Sequence, residues 1–185
     1  MSSQAEIFPL VDASGRVTGK ATRAECHSGS MLLHPVVHLH YFNAQGELYL
    51  QKRAAHKDIQ PNMWDTSVGG HVSYGEEVAA ALLREASEEL GLRNICPVFL
   101  FRYVFESDVE RELVYVYYAT SPALPQPDHD EVSEGRFWSV EEILTSLGKN
   151  IFTPNFEGEI KRALSALRNV STLHFHRATT ICSFC

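Results

Sequence analysis

The sequence predicts an α/β domain in which a mixed β-sheet lies between layers of helix. Short β-branched and aromatic runs are interspersed with amphipathic helical segments, without the strict strand–helix alternation that accompanies an all-parallel sheet. The 185 residues are enough for one domain with a sizeable core. We expect this domain to span residues 1–170 and an irregular tail to follow over residues 171–185.

Turn-forming residues predict two hairpins in the first half of the chain. The tetrapeptide Asp-Ala-Ser-Gly suggests a hairpin over residues 6–20. A second turn at residues 43–46 joins expected strands at residues 36–42 and 47–52. Residues 54–66 are expected to form a loop.

The second half of the chain predicts one amphipathic helix followed by further strands. The helix is expected over residues 75–90. β-branched and aromatic residues predict strands at residues 97–105 and 113–120. A proline-rich loop at residues 121–130 then leads to a short strand at residues 136–138.

Two more helices and a tail complete the predicted order. Ser139 and Glu142 stand at capping-box spacing and predict a helix start, and a last helix is expected over residues 155–168. The tail ends in a CxxC pair, Cys182 and Cys185. One such pair is a weak zinc signal, so we expect a loosely packed tail, and the sequence leaves open whether the pair binds metal.

Composition narrows the class of protein. The net charge of −7 argues against general binding of nucleic-acid polymers, which requires a basic surface. We expect no signal peptide and no membrane partner, because the N-terminus lacks a basic segment before an apolar run and no stretch approaches the roughly 20 apolar residues of a membrane span. Four scattered cysteines are too few for a disulfide framework, so a reducing cytoplasm is expected.

The helix over residues 75–90 carries three carboxylates opposite an apolar stripe. At roughly 100° per residue, the stripe comprises Ala79, Leu82, Leu83, Ala86 and Leu90. Glu85, Glu88 and Glu89 share an arc of about 100° on the far side, where they repel one another unless a cation lies among them. Such oxygen ligands suit Mg²⁺ or Mn²⁺. A solvated acidic face is the alternative.

The residues that flank this helix favour the metal site. Ser73 and Glu76 match a capping box, so we expect the helix to begin near Gly75, and Gly91 supplies its end. Just upstream, the glycine pair at positions 69 and 70 would allow a tight turn and a close approach of the backbone to a phosphate.

Residues 70–92 resemble the Nudix box, in which every fixed position is filled. The matching residues are Gly70, Glu76, Arg84, Glu85, Glu88, Glu89, Gly91 and Leu92. Only Ala86 is smaller than the aliphatic residue that the pattern prefers. The resemblance implies the α/β/α sandwich of Nudix hydrolases and the metal-dependent cleavage of a diphosphate linked to another group.

Roles follow for the box residues. Glu85, Glu88 and Glu89 are the expected Mg²⁺ or Mn²⁺ ligands, and the metal would activate a water that attacks phosphorus. Glu76 and Arg84 are expected to support the box structurally. The general base is either a box glutamate or Glu131.

The chain also resembles type 1 isopentenyl-diphosphate isomerases, over roughly residues 26–156. That resemblance implies a second metal, Mn²⁺, Zn²⁺ or Mg²⁺, bound by His27, His34, His71, Glu110 and Glu112. It also implies that Arg23, Arg53 and Lys57 grip the diphosphate and that Tyr103 is the tyrosine of that family. With Gly69 and Gly70, these residues form the expected substrate site.

Two departures from the isomerases favour hydrolysis. Gly69 stands where those enzymes have their catalytic cysteine, and Asn155 stands where they have the tryptophan that faces a carbocation. Isomerisation needs an acid and a base on opposite faces of the double bond and a wall that tolerates a cation. An isomerase with another proton carrier and a non-catalytic diphosphate-binding module remain alternatives. The substrate's second group stays open, as does the oligomeric state, a homodimer included.

Overall fold

The computed structural model describes residues 6–55, 60–127 and 132–178, with backbone alone for residues 169–178. The strands are β1 (Ile7–Val11), β2 (Val17–Thr22), β3 (Leu33–Phe42), β4 (Leu48–Arg53), β5 (Trp64–Asp65), β6 (Val68–His71), β7 (Val98–Glu106), β8 (Arg111–Thr120) and β9 (Val132–Trp138). The helices are α1 (Arg23–Cys26), α2 (Val78–Leu90), α3 (Val140–Ser146) and α4 (Pro154–Ala178).

Seven of the described strands form one mixed sheet, which confirms the predicted fold class. The strand order is β5-β4-β3-β8-β7, while β6 pairs with β3 and β9 pairs with β4. Strands β3 and β8 run parallel, and the other pairs are antiparallel. Strands β1 and β2 form a separate antiparallel hairpin, as the turn residues predicted.

Helices cover the sheet on both faces, so the core is split in two. On one face, α2 packs alternate residues of β3 such as Val37 and Leu39 against its own Leu82, Ala86 and Leu90. On the other face, α3 and α4 pack against the side chains that β3 and β4 turn the opposite way, such as Phe42 and Leu50. This alternation follows from the two-residue period of a strand.

Three short elements of secondary structure were not predicted from the sequence. Strand β6 contains two consecutive glycines and therefore lacks the β-branched pattern that announces a strand. Strand β5 has only two residues. Helix α1 did have a signal, because Thr22 and Glu25 form a complete capping box at its start. Strand β9 is longer than expected and begins at Val132.

The predicted start of helix α2 is wrong. The helix begins at Val78 after an N-cap, Glu77, that makes no side-chain capping bond. Glu76 instead accepts the backbone N–H of Ser73 at 3.0 Å, within the preceding turn. The end is as predicted, because Gly91 adopts the left-handed conformation with φ of 62°.

The predicted boundary of the tail is also wrong, because helix α4 continues through residues 171–178 to Ala178. Cys182 and Cys185 lie outside the described residues. Within the described ranges, no helix is both long enough and apolar enough to cross a membrane.

Candidate functional site

The buried face of helix α2 differs from the predicted apolar stripe. It is rotated about the helix axis toward the side that carries the glutamates. Ala81, Leu82, Ala86 and Leu90 are buried, whereas two members of the predicted stripe, Ala79 and Leu83, are exposed. The three box glutamates consequently differ in exposure. The side chain of Glu85 is only 15% exposed, whereas that of Glu88 is 61% exposed.

Glu85 is accommodated because residue 70 has no side chain. Gly70 is buried in strand β6, and a β-carbon there would overlap the Cγ and carboxyl atoms of Glu85. Burial raises the pKa of the Glu85 carboxyl, and the neighbouring guanidinium of Arg84 opposes that shift. A half-buried carboxylate of this kind is suited to a bound cation, which would offset its cost of burial.

We predict that Gly70→Ala lowers the free energy of unfolding by about 1–3 kcal/mol, the usual cost of overpacking a well-filled site. The new methyl would force the Glu85 side chain away from Arg84. The matched control is Gly69→Ala, whose added β-carbon would lie 3.6 Å or more from its neighbours. Urea unfolding measures both variants, and equal stability of the two would contradict this account of Gly70.

The guanidinium of Arg84 hydrogen-bonds several groups of the box. Its Nε donates to Glu76 Oε1 at 2.9 Å, and its Nη1 donates to Glu85 Oε1 at 2.8 Å and to Glu88 Oε2 at 3.1 Å. Its Nη2 donates to the backbone carbonyl of His71 at 3.0 Å. One guanidinium therefore orients the carboxylates of Glu76, Glu85 and Glu88 and attaches the helix to strand β6.

The third box carboxylate lies against the neighbouring strands. Glu89 Oε2 accepts from the side-chain amide of Gln51 at 3.0 Å and lies 3.4 Å from the backbone nitrogen of Gly69, which donates to it. Gly69 itself is exposed. Three carboxylates thus line the junction of α2 with β6, and their oxygens are the donor type that Mg²⁺ and Mn²⁺ prefer.

Three histidines from separate elements meet beside the box. His27 caps the C-terminus of α1, His34 lies in β3 and His71 ends β6. One ring nitrogen of each lies within 4.8 Å of the others, and the Nε2 atoms of His27 and His71 are 3.1 Å apart. We call these three residues the histidine cluster.

Two rings of the histidine cluster, His34 and His71, favour the neutral form that metal binding requires. His34 Nδ1 donates to the carbonyl of Leu32 at 3.0 Å, so its Nε2, buried and without a hydrogen-bond partner, presents a lone pair. Burial lowers the pKa of both His34 and His71, which favours neutral imidazole, the form that coordinates metal ions. These residues therefore fit a divalent transition metal.

The two glutamates expected at this site hold different positions. Glu110 Oε2 lies 2.7 Å from His27 Nδ1, so it can orient that ring from the side opposite the cluster, as outer partners of metal-bound histidines do. Glu112 is buried beside His34 across strands β3 and β8. Burial, and then the charge of Glu110, raises the pKa of Glu112 to about 8.

The hairpin of β1 and β2 closes one side of the histidine cluster. Phe8 is buried and stacks on His71, with ring centroids 4.4 Å apart and planes 2° from parallel. The carbonyl of Ile7 accepts the backbone N–H of Tyr74 at 2.8 Å, which links the hairpin to the box loop. Sequence reasoning missed Phe8, because a single aromatic residue in a hairpin carries no distinguishing pattern.

Two of the three cationic residues expected to bind the diphosphate lie within the described residues. Arg23 pairs with Glu6 at 2.9 Å near the histidine cluster, and Arg53 pairs with Asp65 at 3.4 Å. Lys57, and Glu131 as candidate base, lie outside the described residues. Tyr103 does not stand free for substrate, because its hydroxyl lies 2.6 Å from Asn155 Oδ1 and 2.8 Å from Glu159 Oε2.

A buried polar network under the sheet also escaped sequence reasoning. Glu159 of helix α4 is fully buried and accepts from His38 Nδ1 at 2.9 Å and from His40 Nε2 at 2.7 Å. The sequence held one signal for it: His38 and His40 alternate on one face of β3, and Glu159 interrupts an apolar helix face beside Phe156 and Ile160.

This chain is similar to known proteins of one domain family. The NUDIX domain family matches residues 32–156. An isopentenyl-diphosphate Δ-isomerase of Pectobacterium atrosepticum is 34% identical over 72% of this chain and 76% of its own length. An uncharacterised Nudix hydrolase of Pseudomonas aeruginosa is 35% identical over 74% of this chain and 80% of its own length.

A solved structure shows the same fold. The DR0079 protein of Deinococcus radiodurans superimposes with a TM-score of 0.74 at 27% identity, covering 85% of this chain and 98% of its own. The relatives thus carry two kinds of name, isomerase and hydrolase, on one fold.

Proposed function

This chain belongs to the NUDIX domain family, and we propose that it is a metal-dependent hydrolase that cleaves a diphosphate linked to another group. The observation that carries the proposal is the junction of α2 and β6, where Glu85 fills the space left by Gly70 and Arg84 holds Glu85 and Glu88 on one nitrogen. A module that only bound diphosphates would have no evident need of this complete set.

Glu85, Glu88 and Glu89 would hold Mg²⁺ or Mn²⁺. When bound, the metal offsets the charge of the phosphates and lowers the pKa of a water that can attack phosphorus. Arg84 fixes the rotamers of Glu85 and Glu88, and the missing side chain at the exposed Gly69 leaves the backbone there open to phosphate oxygens. The base that accepts the proton of the water is a box glutamate or Glu131.

The histidine cluster would hold a second metal ion, Mn²⁺, Zn²⁺ or Mg²⁺. Imidazole nitrogens favour the transition metals among these. Glu110 would orient His27, and Glu112 beside His34 would complete the ligand set. The two metal sites share strand β6, since His71 follows Gly70 directly.

We predict that His34→Gln weakens the binding of Zn²⁺ or Mn²⁺ to chelator-treated protein at least about 100-fold, because the change removes an inward ligand. The matched control is His40→Gln, which changes a buried histidine of the same strand that contacts Glu159 rather than the histidine cluster. Calorimetric titration with each metal makes the measurement. Equal affinity of wild type and His34→Gln for both metals would refute the second site.

Substrate identity is tested by a phosphate-release screen of the purified protein with Mg²⁺ and Mn²⁺, in which alkaline phosphatase releases phosphate from the monoester products of nucleotide sugars and dinucleotides. The panel comprises nucleoside diphosphates, nucleotide sugars, dinucleotides and prenyl diphosphates. A Shewanella oneidensis domain of this fold has been crystallised with ADP-ribose, at 17% identity, so ADP-ribose belongs in the panel. Release from none of these compounds would contradict the proposed hydrolysis.

An isomerase is the second candidate, favoured by relatives of that name at 34% and 35% identity. In this chain, however, Gly69 has no side chain to move a proton. Asn155 offers an amide that is already hydrogen-bonded to Tyr103. We therefore rank hydrolysis first.

A further inference from the structure

The imidazole of His38 borders the position that a side chain at residue 69 would occupy. The two residues are register partners in the antiparallel pair of β3 and β6. A β-carbon placed on Gly69 would lie 3.7 Å from His38 Cδ2 and 3.8 Å from His38 Nε2. Gly69 is exposed and the His38 side chain is 10% exposed. The Nε2 edge of the ring therefore borders a position that a ligand can reach.

This position adjoins the box. The backbone N–H of Gly69 points to Glu89 Oε2 at 3.4 Å, so the residue under His38 also touches a carboxylate proposed to hold metal. A diphosphate bound at Glu89 would extend over Gly69, because a glycine there presents no side chain against it.

The imidazole of His38 is held in one orientation from behind. Its Nδ1 donates to Glu159 Oε2 at 2.9 Å, and the other carboxylate oxygen of Glu159 accepts from His40. Glu159 is fully buried and cannot itself reach a ligand. A carboxylate on one ring nitrogen sets the tautomer and the direction of the other nitrogen.

The network also favours a protonated ring. Burial alone would lower the pKa of His38, but the charge and hydrogen bond of Glu159 raise it to about 9. Asp65 of β5 and Glu112 of β8 also act on it by charge in the same direction. Nε2 then carries a hydrogen and acts as a donor, and among these carboxylates the imidazolium is the group that attracts a phosphate oxygen.

We propose that His38 is a substrate-contacting residue, whose Nε2–H donates a hydrogen bond to an oxygen of the diphosphate substrate above Gly69, and that Glu159 is its positioning residue. The inference rests on the proposed function to the extent that a diphosphate occupies the box. It adds a contact from the opposite face of the sheet to those made by helix α2.

The first test uses a non-hydrolysable diphosphate analogue, methylenediphosphonate with Mg²⁺, added to the whole protein labelled uniformly with ¹⁵N. We expect the Nε2 resonance of His38 to shift on binding and the resonances of His40, which is fully buried, to stay unchanged. Analogue binding reported by the amide of Gly69 without a shift at His38 would overturn the inference. So would the absence of any binding.

The second test compares steady-state kinetics of three variants on the best substrate of the screen. His38→Gln can still donate to Glu159 but is not expected to reach a ligand above Gly69, and we expect KM to rise at least about tenfold with a smaller change in kcat, the worth of a charge-assisted hydrogen bond. Glu159→Gln should raise KM in the same sense. Glu157→Gln, the matched control on the same helix, changes a carboxylate that accepts from the backbone N–H of Gly148 and should stay within about threefold of wild type.

Circular dichroism of each variant separates misfolding from loss of contact. Unchanged KM in a folded His38→Gln protein would overturn the inference while leaving hydrolysis intact. Conversely, a shift of His38 Nε2 with the analogue in a protein that hydrolyses no diphosphate would support the contact and refute the proposed function.

Discussion

Glu88→Gln and Glu89→Gln are each expected to lower the turnover rate at least about 100-fold while the fold survives, because an amide is a poor ligand for Mg²⁺. Glu88 is 61% exposed and its side chain contacts Arg84, so its loss exposes no core. Glu89 contacts Gln51 and Gly69 at the sheet edge. The measurement is phosphate release at saturating substrate and Mg²⁺.

The matched control is Glu77, the N-cap residue of helix α2. Glu77→Gln removes a carboxylate one residue before the helix, where Glu77 is exposed and makes no capping bond. We expect its turnover to stay near that of wild type. If Glu88→Gln and Glu89→Gln both retained near-normal turnover, the assignment of the metal site to the box would fail.

The box was predictable because its chemistry is local. Glu85, Glu88 and Glu89 lie within one and a half turns of one helix, so spacing alone brings their carboxylates together. The rotation of the helix was not predictable from its own residues. It depends on Gly70, which has no side chain and so lets Glu85 lie against β6, and an apolar-stripe argument that treats Glu85 as solvated therefore misplaces Ala79 and Leu83.

The polar network around Glu159, unlike the box, could not be predicted from local spacing. Its members are brought together by tertiary packing across more than a hundred residues, since His38 and Glu159 are separated by 121 positions. In the sequence each of them resembles an ordinary polar residue in a strand or helix. The histidine cluster is equally dispersed, and its members could be selected in advance only through a resemblance to a known family.

We expect no isomerisation of isopentenyl diphosphate by the wild-type protein, together with hydrolysis of at least one diphosphate. In ²H₂O, exchange of protons into isopentenyl diphosphate, followed by NMR, should not exceed a metal-only control. The hydrogen bonds of Tyr103 add a structural reason to expect no isomerisation. The hydroxyl of Tyr103 is bound to Asn155 and Glu159, so the position where the isomerases have an aromatic wall is occupied here by an amide in a polar hydrogen-bond network.

The variant Gly69→Cys separates sterics from chemistry. A β-carbon at residue 69 meets its neighbours at ordinary contact distances, 3.6 Å from Thr66 Cγ2 and 3.7 Å from His38 Cδ2, so the cysteine should be accommodated without loss of fold. We nevertheless expect no efficient isomerase from this change alone. Asn155 offers no aromatic face to a carbocation.

The charge of His38 is a further reason to expect no isomerisation. With its pKa raised to about 9 by Glu159, the ring next to residue 69 is cationic at neutral pH, and a positive charge beside the reacting carbon opposes a carbocation. The same charge favours a phosphate oxygen. Proton exchange into isopentenyl diphosphate well above the control, in the wild type or in Gly69→Cys, would therefore overturn both the hydrolase assignment and the electrostatic account of this cleft.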